Sequence, residues 1–206
     1  MAVEAIEAPA HAGEHDYAAT GIDSRKLGMW AFLSSECLFF GALISSYLLY
    51  RSRAPEGVPT PHDVYDIPYT SVSSFVLLMS SLTMVLALAA IQRGDHHRLR
   101  IWLLATALLG TVFIGGQVYE FTVFTHEGVN LSSSVAGTSF FVLTGFHGMH
   151  VTGGILWLLS LVGVSMRGKL PVERALDVEI AGLYWHFVDV VWIVIFTVVY
   201  LVPTPK

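Results

Sequence analysis

Eight polar side chains interrupt otherwise apolar stretches of this sequence: Glu36, Gln117, Glu120, His147, His150, Glu179, His186 and Asp189. Carboxylates and imidazoles are groups that take up and release protons, and imidazoles also ligate metals and haem iron. His147 and His150 stand three residues apart, as do His186 and Asp189, and Gln117 and Glu120. On a helix that spacing places both members on one side. Three chemistries are open to such a set. It can be polar glue between helices, it can handle protons through Glu36 or Asp189, or it can ligate haem or metal through His147, His150 or His186. Two histidines of one helix cannot ligate opposite faces of one haem, whereas His147 with His186 could. Other chemistries lack their signatures. The sequence has no phosphate-binding Gly loop, nucleophile elbow, Cys-x-x-Cys-His or His-Glu-x-x-His motif. The single cysteine, Cys37, can form neither an internal disulfide nor a Cys-based metal site, and it reads as a small core residue.

The elements that must position these groups are unusually apolar. Of 206 residues, 54% are hydrophobic and only 13% charged, against about 25% charged in soluble domains. Five stretches, about 27–50, 71–91, 99–124, 135–166 and 178–202, reach the ~20 residues a helix needs to cross ~30 Å of hydrocarbon. Helices are the default, because lipid cannot hydrogen-bond an open backbone. The expected fold is an all-α membrane protein, a bundle of five transmembrane helices. Pro55, Pro59, Pro61 and Pro68 mark a loop over 51–70, and residues 92–98 read as a short charged turn. Residues 1–26 lack a secretory h-region and read as a flexible polar cytoplasmic tail, in which His11 and His15 are solvated. A net charge of −5 argues against a nucleic-acid partner.

Basic residues set the expected orientation. With the N-terminus inside, Arg25, Lys26, Arg93, Arg98, Arg100, Arg167, Lys169 and Arg174 are cytoplasmic, and Arg51, Arg53 and Lys206 lie outside. The positive-inside rule then puts the C-terminus outside. Trp30, Tyr47, Tyr50, Tyr69, Trp102, Tyr119 and Tyr200 fall near span ends, where aromatic side chains anchor at the interface or simply pack.

Depth sorts the polar groups. At 1.5 Å per residue, Glu36 lies about 4 Å inward of midplane, and Asp189 and His150 within about 2 Å of it. His186 lies about 6 Å inward and His147 about 7 Å outward, while Glu120 is about 13 Å outward. Glu179 falls at the inner interface. A charge at midplane costs from about 2.5 to over 10 kcal/mol. The simplest expectation is one buried network that neutralises Glu36 and Asp189 by pairing with histidines or by protonation. Gly115, Gly116, Gly145, Gly148, Gly153 and Gly154 flank these positions and allow close helix approach.

Four segments carry a resemblance. They are Gly28-Met-Trp-Ala-Phe-Leu-Ser-Ser-Glu36-Cys-Leu-Phe-Phe40, Gly116-Gln-Val-Tyr-Glu120-Phe121, Thr138 through Gly-Phe-His147-Gly-Met-His150 to Gly154, and Tyr184-Trp-His186-Phe-Val-Asp189-Val-Val-Trp192. With them the chain resembles the haem–copper oxidase subunit III family in its five-helix form. The resemblance implies an accessory subunit with no haem or copper of its own. It implies packing on subunit I, contact with subunit II and other oxidase subunits, and bound phospholipid. It implies support of proton uptake in a proton-pumping respiratory complex of a bacterial-type inner membrane. It also implies that Glu36 matches the family's carbodiimide-reactive buried glutamate. Glu120, His147, His150, His186 and Asp189 fall at family motif positions with structural roles. The opening motif resembles the cytochrome c branch. A quinol oxidase or nitric oxide reductase system, a stand-alone b-type haem carrier and a small proton-coupled transporter are the alternatives.

Overall fold

The computed structural model describes residues 23–53, 67–128 and 134–202. Most of the expected tail, most of the proline-rich loop and the last four residues lie outside them. Among the described residues the chain is helical: α1 (Ser24–Arg51), α2 (Ile67–Gln92), α3 (His96–His126), α4 (Val135–Met166) and α5 (Ala175–Phe196). A 3₁₀ turn, Val172–Arg174, leads into α5, and a π turn, Thr197–Leu201, ends it. Five helical stretches are long and apolar enough to cross a membrane.

Several helices start earlier than their apolar runs suggest, because a polar first turn still belongs to a capped helix. Asp23 accepts from the Arg25 amide at 2.9 Å and starts α1, so Ser24, Arg25 and Lys26 are helix rather than tail. Asp95 does the same for α3 through the Arg98 amide at 2.9 Å. That bond holds the Asp95 carboxyl below its usual range. The expected 92–98 turn therefore shrinks to 93–95, with Gly94 at a positive φ of 73°. Pro68, expected in a loop, sits in the first turn of α2, where a missing N–H costs no helical bond.

α2 and α3 form a tight antiparallel pair, α4 packs on α3, and α5 lies against α2 and α4. α5 is the most buried span and α1, which packs on α4 and α5, the least. Two indoles fix α5. Trp185 Nε1 donates to Ser80 Oγ and Trp192 Nε1 to Ser74 Oγ, both at 2.8 Å, so both buried N–H groups are satisfied on α2. Trp185 lies in a slot between two glycines. A Cβ at Gly154 would come within 2.8 Å of its ring and one at Gly110 within 2.7 Å. Gly154 thus does the close-packing work expected of it. Gly115 and Gly145 do not, since a Cβ there meets nothing.

α1 is clipped to α5 at both ends. At one end Lys26 pairs with Glu179, and Arg25 reaches Asp177 at 3.0 Å. At the other, Arg51 closes α1 and donates to the carbonyls of Val198 and Val202. Arg51 was expected in a loop; it is 7% exposed because it neutralises the carbonyl end of α5 and its turn. Two of the aromatic residues near span ends, Tyr47 and Tyr200, are buried packing residues, whereas Trp30, Tyr50, Tyr69 and Tyr119 stay exposed. Cys37, expected in the core, is exposed, because α1 turns it away from its few neighbours.

Candidate functional site

Among the described residues the contacts of the spans' polar side chains do not join them into one network. They separate into distinct groups, each joining different helices.

Glu36 of α1 meets His150 of α4, with Oε2 and Nε2 3.2 Å apart. The pair satisfies the distance of an ion pair but not the alignment of a hydrogen bond. His150 Nδ1 lies 2.8 Å from the Phe146 carbonyl, which can only accept. Nδ1 therefore carries a proton, and Nε2 is the nitrogen that faces the carboxyl. One further proton between Nε2 and Oε2 makes the pair neutral overall, whichever atom holds it. Phe40 lies edge-on to the imidazole, with centroids 5.0 Å apart. Tyr184 of α5 donates to the His150 carbonyl at 2.9 Å, bringing a third helix to the pair.

His186 and Asp189 of α5 share a partner that sequence reasoning missed. The Ser81 hydroxyl of α2 lies 3.0 Å from His186 Nδ1 and donates to Asp189 Oδ2. A hydroxyl has one proton to give and lone pairs to accept with. With Asp189 ionised, Nδ1–H donates to Oγ and Oγ–H to the carboxylate. With Asp189 protonated, the donors can run the other way. The three groups form a chain that can exchange its polarity without moving a helix. Asp189 is 3% exposed, and its Oδ1 has no hydrogen-bond partner among the described residues.

Glu120 of α3 is buried in the bundle. Its Oε1 accepts from Thr70 of α2 at 2.8 Å and from Tyr200 after α5 at 3.0 Å. Gln117 makes a long contact, 3.5 Å, from Nε2 to the Thr144 carbonyl of α4, with its Oε1 close against Gly148. Glu179 pairs with Lys26.

His147 stands apart. It is fully buried, its ring stacks on Trp192 with centroids 4.9 Å apart, and the Phe113 ring meets it edge-on at 5.9 Å. Neither ring nitrogen finds a partner among the described residues. Positions three apart on a helix diverge by about 60°, since each residue turns 100°. His150 faces Glu36 of α1, while His147 packs against Phe113 of α3 and Trp192 of α5. Trp192 covers one face of the His147 ring and Phe113 meets it edge-on, while His186 turns its Nδ1 to Ser81. Among the described residues no three His, Cys, Asp or Glu side chains converge as a metal site would.

Apart from Arg51 and Arg53 at the opposite end of α1, the basic residues of the described segments gather on one face of the bundle. Lys26 and Arg25 meet Glu179 and Asp177 there. Arg174, which also pairs with Asp177, donates to the Lys169 carbonyl. The 93–95 turn approaches Val172.

Fold and site together define an integral membrane protein, an all-helical bundle whose buried acids and imidazoles are matched mainly across helix interfaces. Residues 4–203 match the family described as cytochrome c oxidase subunit III, and the chain belongs to that family. It is 40% identical over 178 residues to a probable quinol oxidase subunit 3 of Staphylococcus saprophyticus, covering 86% of this chain and 88% of that one. It is 38% identical over 175 residues to cytochrome c oxidase subunit 3 of Bacillus sp. strain PS3, covering 85% and 84%. It is 36% identical over 188 residues to cytochrome bo(3) ubiquinol oxidase subunit 3 of Pseudomonas aeruginosa, covering 91% and 90%. It is thus a subunit III of the haem–copper oxidase family and part of a multi-subunit respiratory oxidase.

Proposed function

We propose that this chain is the non-catalytic accessory subunit of an aerobic cytochrome c oxidase, carrying no redox centre of its own. It stabilises the large catalytic subunit I, touches subunit II, binds phospholipid and supports proton uptake into a proton-pumping complex. The observation that carries the reading is how the ionisable side chains are used. Glu36 meets His150, Asp189 and His186 meet Ser81, and Glu120 meets Thr70 and Tyr200, each across a helix interface of the same chain. Such pairing joins helices to one another, and among the described residues no three His, Cys, Asp or Glu side chains converge. A stand-alone b-type haem carrier draws no support from the packing around His147.

The N-terminus lies in the cytoplasm and the C-terminus outside, in a bacterial-type inner membrane. The basic face supports this orientation through the positive-inside rule. A quinol oxidase is the second reading, because relatives of that name are as similar as those named for cytochrome c. The test is oxygen consumption by membranes with and without the chain, fed either reduced cytochrome c or a quinol. Loss of cytochrome c-driven turnover without the chain supports the first reading, and loss of quinol-driven turnover alone supports the second. Turnover unaffected with both donors contradicts the accessory role.

A further inference from the structure

A groove between α2 and α3, on the basic face, belongs to none of the polar pairs. Its volume is about 440 Å³. Leu86, Ala89, Ile101 and Trp102 form its apolar walls, and Arg93 and Arg98 stand at its mouth. Leu86 precedes Arg93 by two helical turns, so the apolar wall runs roughly 10 Å from the cations toward the middle of the membrane. Ala89 and the buried Ala90 leave the groove open where longer side chains would fill it.

The mouth has surplus positive charge. Its one carboxylate, Asp95, is already engaged: it accepts from the Arg98 amide at 2.9 Å and meets Arg98 Nε at 3.2 Å. The Arg93 guanidinium has no ion pair among the described residues. Guanidinium groups bind phosphate oxygens through paired N–H donors. A phosphate at the interface with acyl chains running down an apolar slot matches this layout in both polarity and length. A headgroup with its own cation would bring that cation to two arginines, whereas one with net negative charge would not. Basic pockets beside membrane helices hold acidic headgroups for this reason. We infer that the α2–α3 groove is a binding site for an anionic phospholipid, with its phosphate on Arg93 and Arg98 and an acyl chain between Leu86 and Ile101. The inference does not depend on the oxidase reading.

The test uses the full chain, with whatever subunits co-purify, delipidated in a neutral detergent. Native mass spectrometry then reads retention of phosphatidylglycerol and phosphatidylcholine with identical acyl chains. Phosphatidylglycerol is expected to be retained in preference. Arg93→Gln lowers its retention about fivefold, the factor equivalent to the ~1 kcal/mol that each basic residue contributes near an anionic lipid surface. Arg93→Gln with Arg98→Gln removes the preference, and Arg93→Lys keeps most of it. Ala89→Phe, which fills the slot, lowers retention of both lipids. Arg93 is exposed and lies outside the helices, so its variants keep the wild-type helical circular dichroism. Equal retention of the two lipids, or no change in Arg93→Gln, overturns the proposal. Displacement of the lipid by millimolar inorganic phosphate also overturns it, because the site would then be a bare anion site.

Discussion

Replacing Ser81 by alanine isolates the His186–Ser81–Asp189 chain, because one hydroxyl serves both partners. Ser81 lies on α2 and its two partners on α5, so the substitution deletes two interhelical contacts at once. Interhelical hydrogen bonds in membranes average about 0.6 kcal/mol each and reach about 1.7. Stranding a buried polar group adds about 1–3 kcal/mol. Asp189 is the group stranded, since its Oδ1 already lacks a partner and Ser81 holds Oδ2. The expected loss for Ser81→Ala is about 2 kcal/mol, a factor of about 30 in the unfolding equilibrium. Asp189→Leu in the Ser81→Ala background should recover much of it, because removing both polar partners leaves no stranded group. The assay is reversible unfolding of the purified chain in mixed micelles with increasing dodecyl sulfate, run as a double-mutant cycle. A coupling energy of at least about 1 kcal/mol is expected, as for residues in direct contact. If Ser81→Ala matches wild type, or the two substitutions add, the chain is not a working interaction.

Three further outcomes follow from the packing. Gly154→Ala drives a methyl to within 2.8 Å of Trp185, which cannot retreat because Ser80 holds its N–H and Gly110 bounds its far side; melting in detergent should show a loss of about 1–3 kcal/mol, and an unchanged midpoint would contradict the slot. His150→Leu leaves Glu36 without its partner and should cut the yield of assembled complex on a size-exclusion column, whereas Glu36→Gln should assemble normally; full yield from His150→Leu would show that the pair does not hold α1. Arg51→Gln removes two charge-assisted bonds to the Val198 and Val202 carbonyls, each of about 1.5–3 kcal/mol, and hydrogen exchange should then speed up in the Thr197–Leu201 turn; unchanged protection there would deny Arg51 its capping role.

The five helices were legible from sequence because lipid demands long, uninterrupted apolar helices, and apolar length is visible in a row of letters. The helix starts were less so, since Ser24–Lys26 and His96–Arg98 are polar and only their caps, Asp23 and Asp95, make them helical. The ionisable residues stood out because each is costly in an apolar span. Their partners did not. Ser81 and Thr70 are common small hydroxyls that usually bond their own helix, and Tyr200 resembled an interfacial anchor. Gly110 carried no polar neighbour to draw attention, yet it closes the Trp185 slot. Which neighbours His147 and His150 meet was not legible either: His150 lies against Glu36 of α1 and His147 between Phe113 and Trp192.

The central claim is that this chain works as a cofactor-free subunit of a haem–copper oxidase. Purification through a C-terminal tag in mild detergent, with an optical spectrum and a mass-spectrometric list of the co-eluting subunits, tests it most directly. The account predicts haem absorbance that elutes with a large polytopic partner and is lost when the chain is stripped from it. A single chain that elutes alone and carries b-type haem would contradict the account, and so would a single chain that elutes without haem and drives proton-coupled flux when reconstituted.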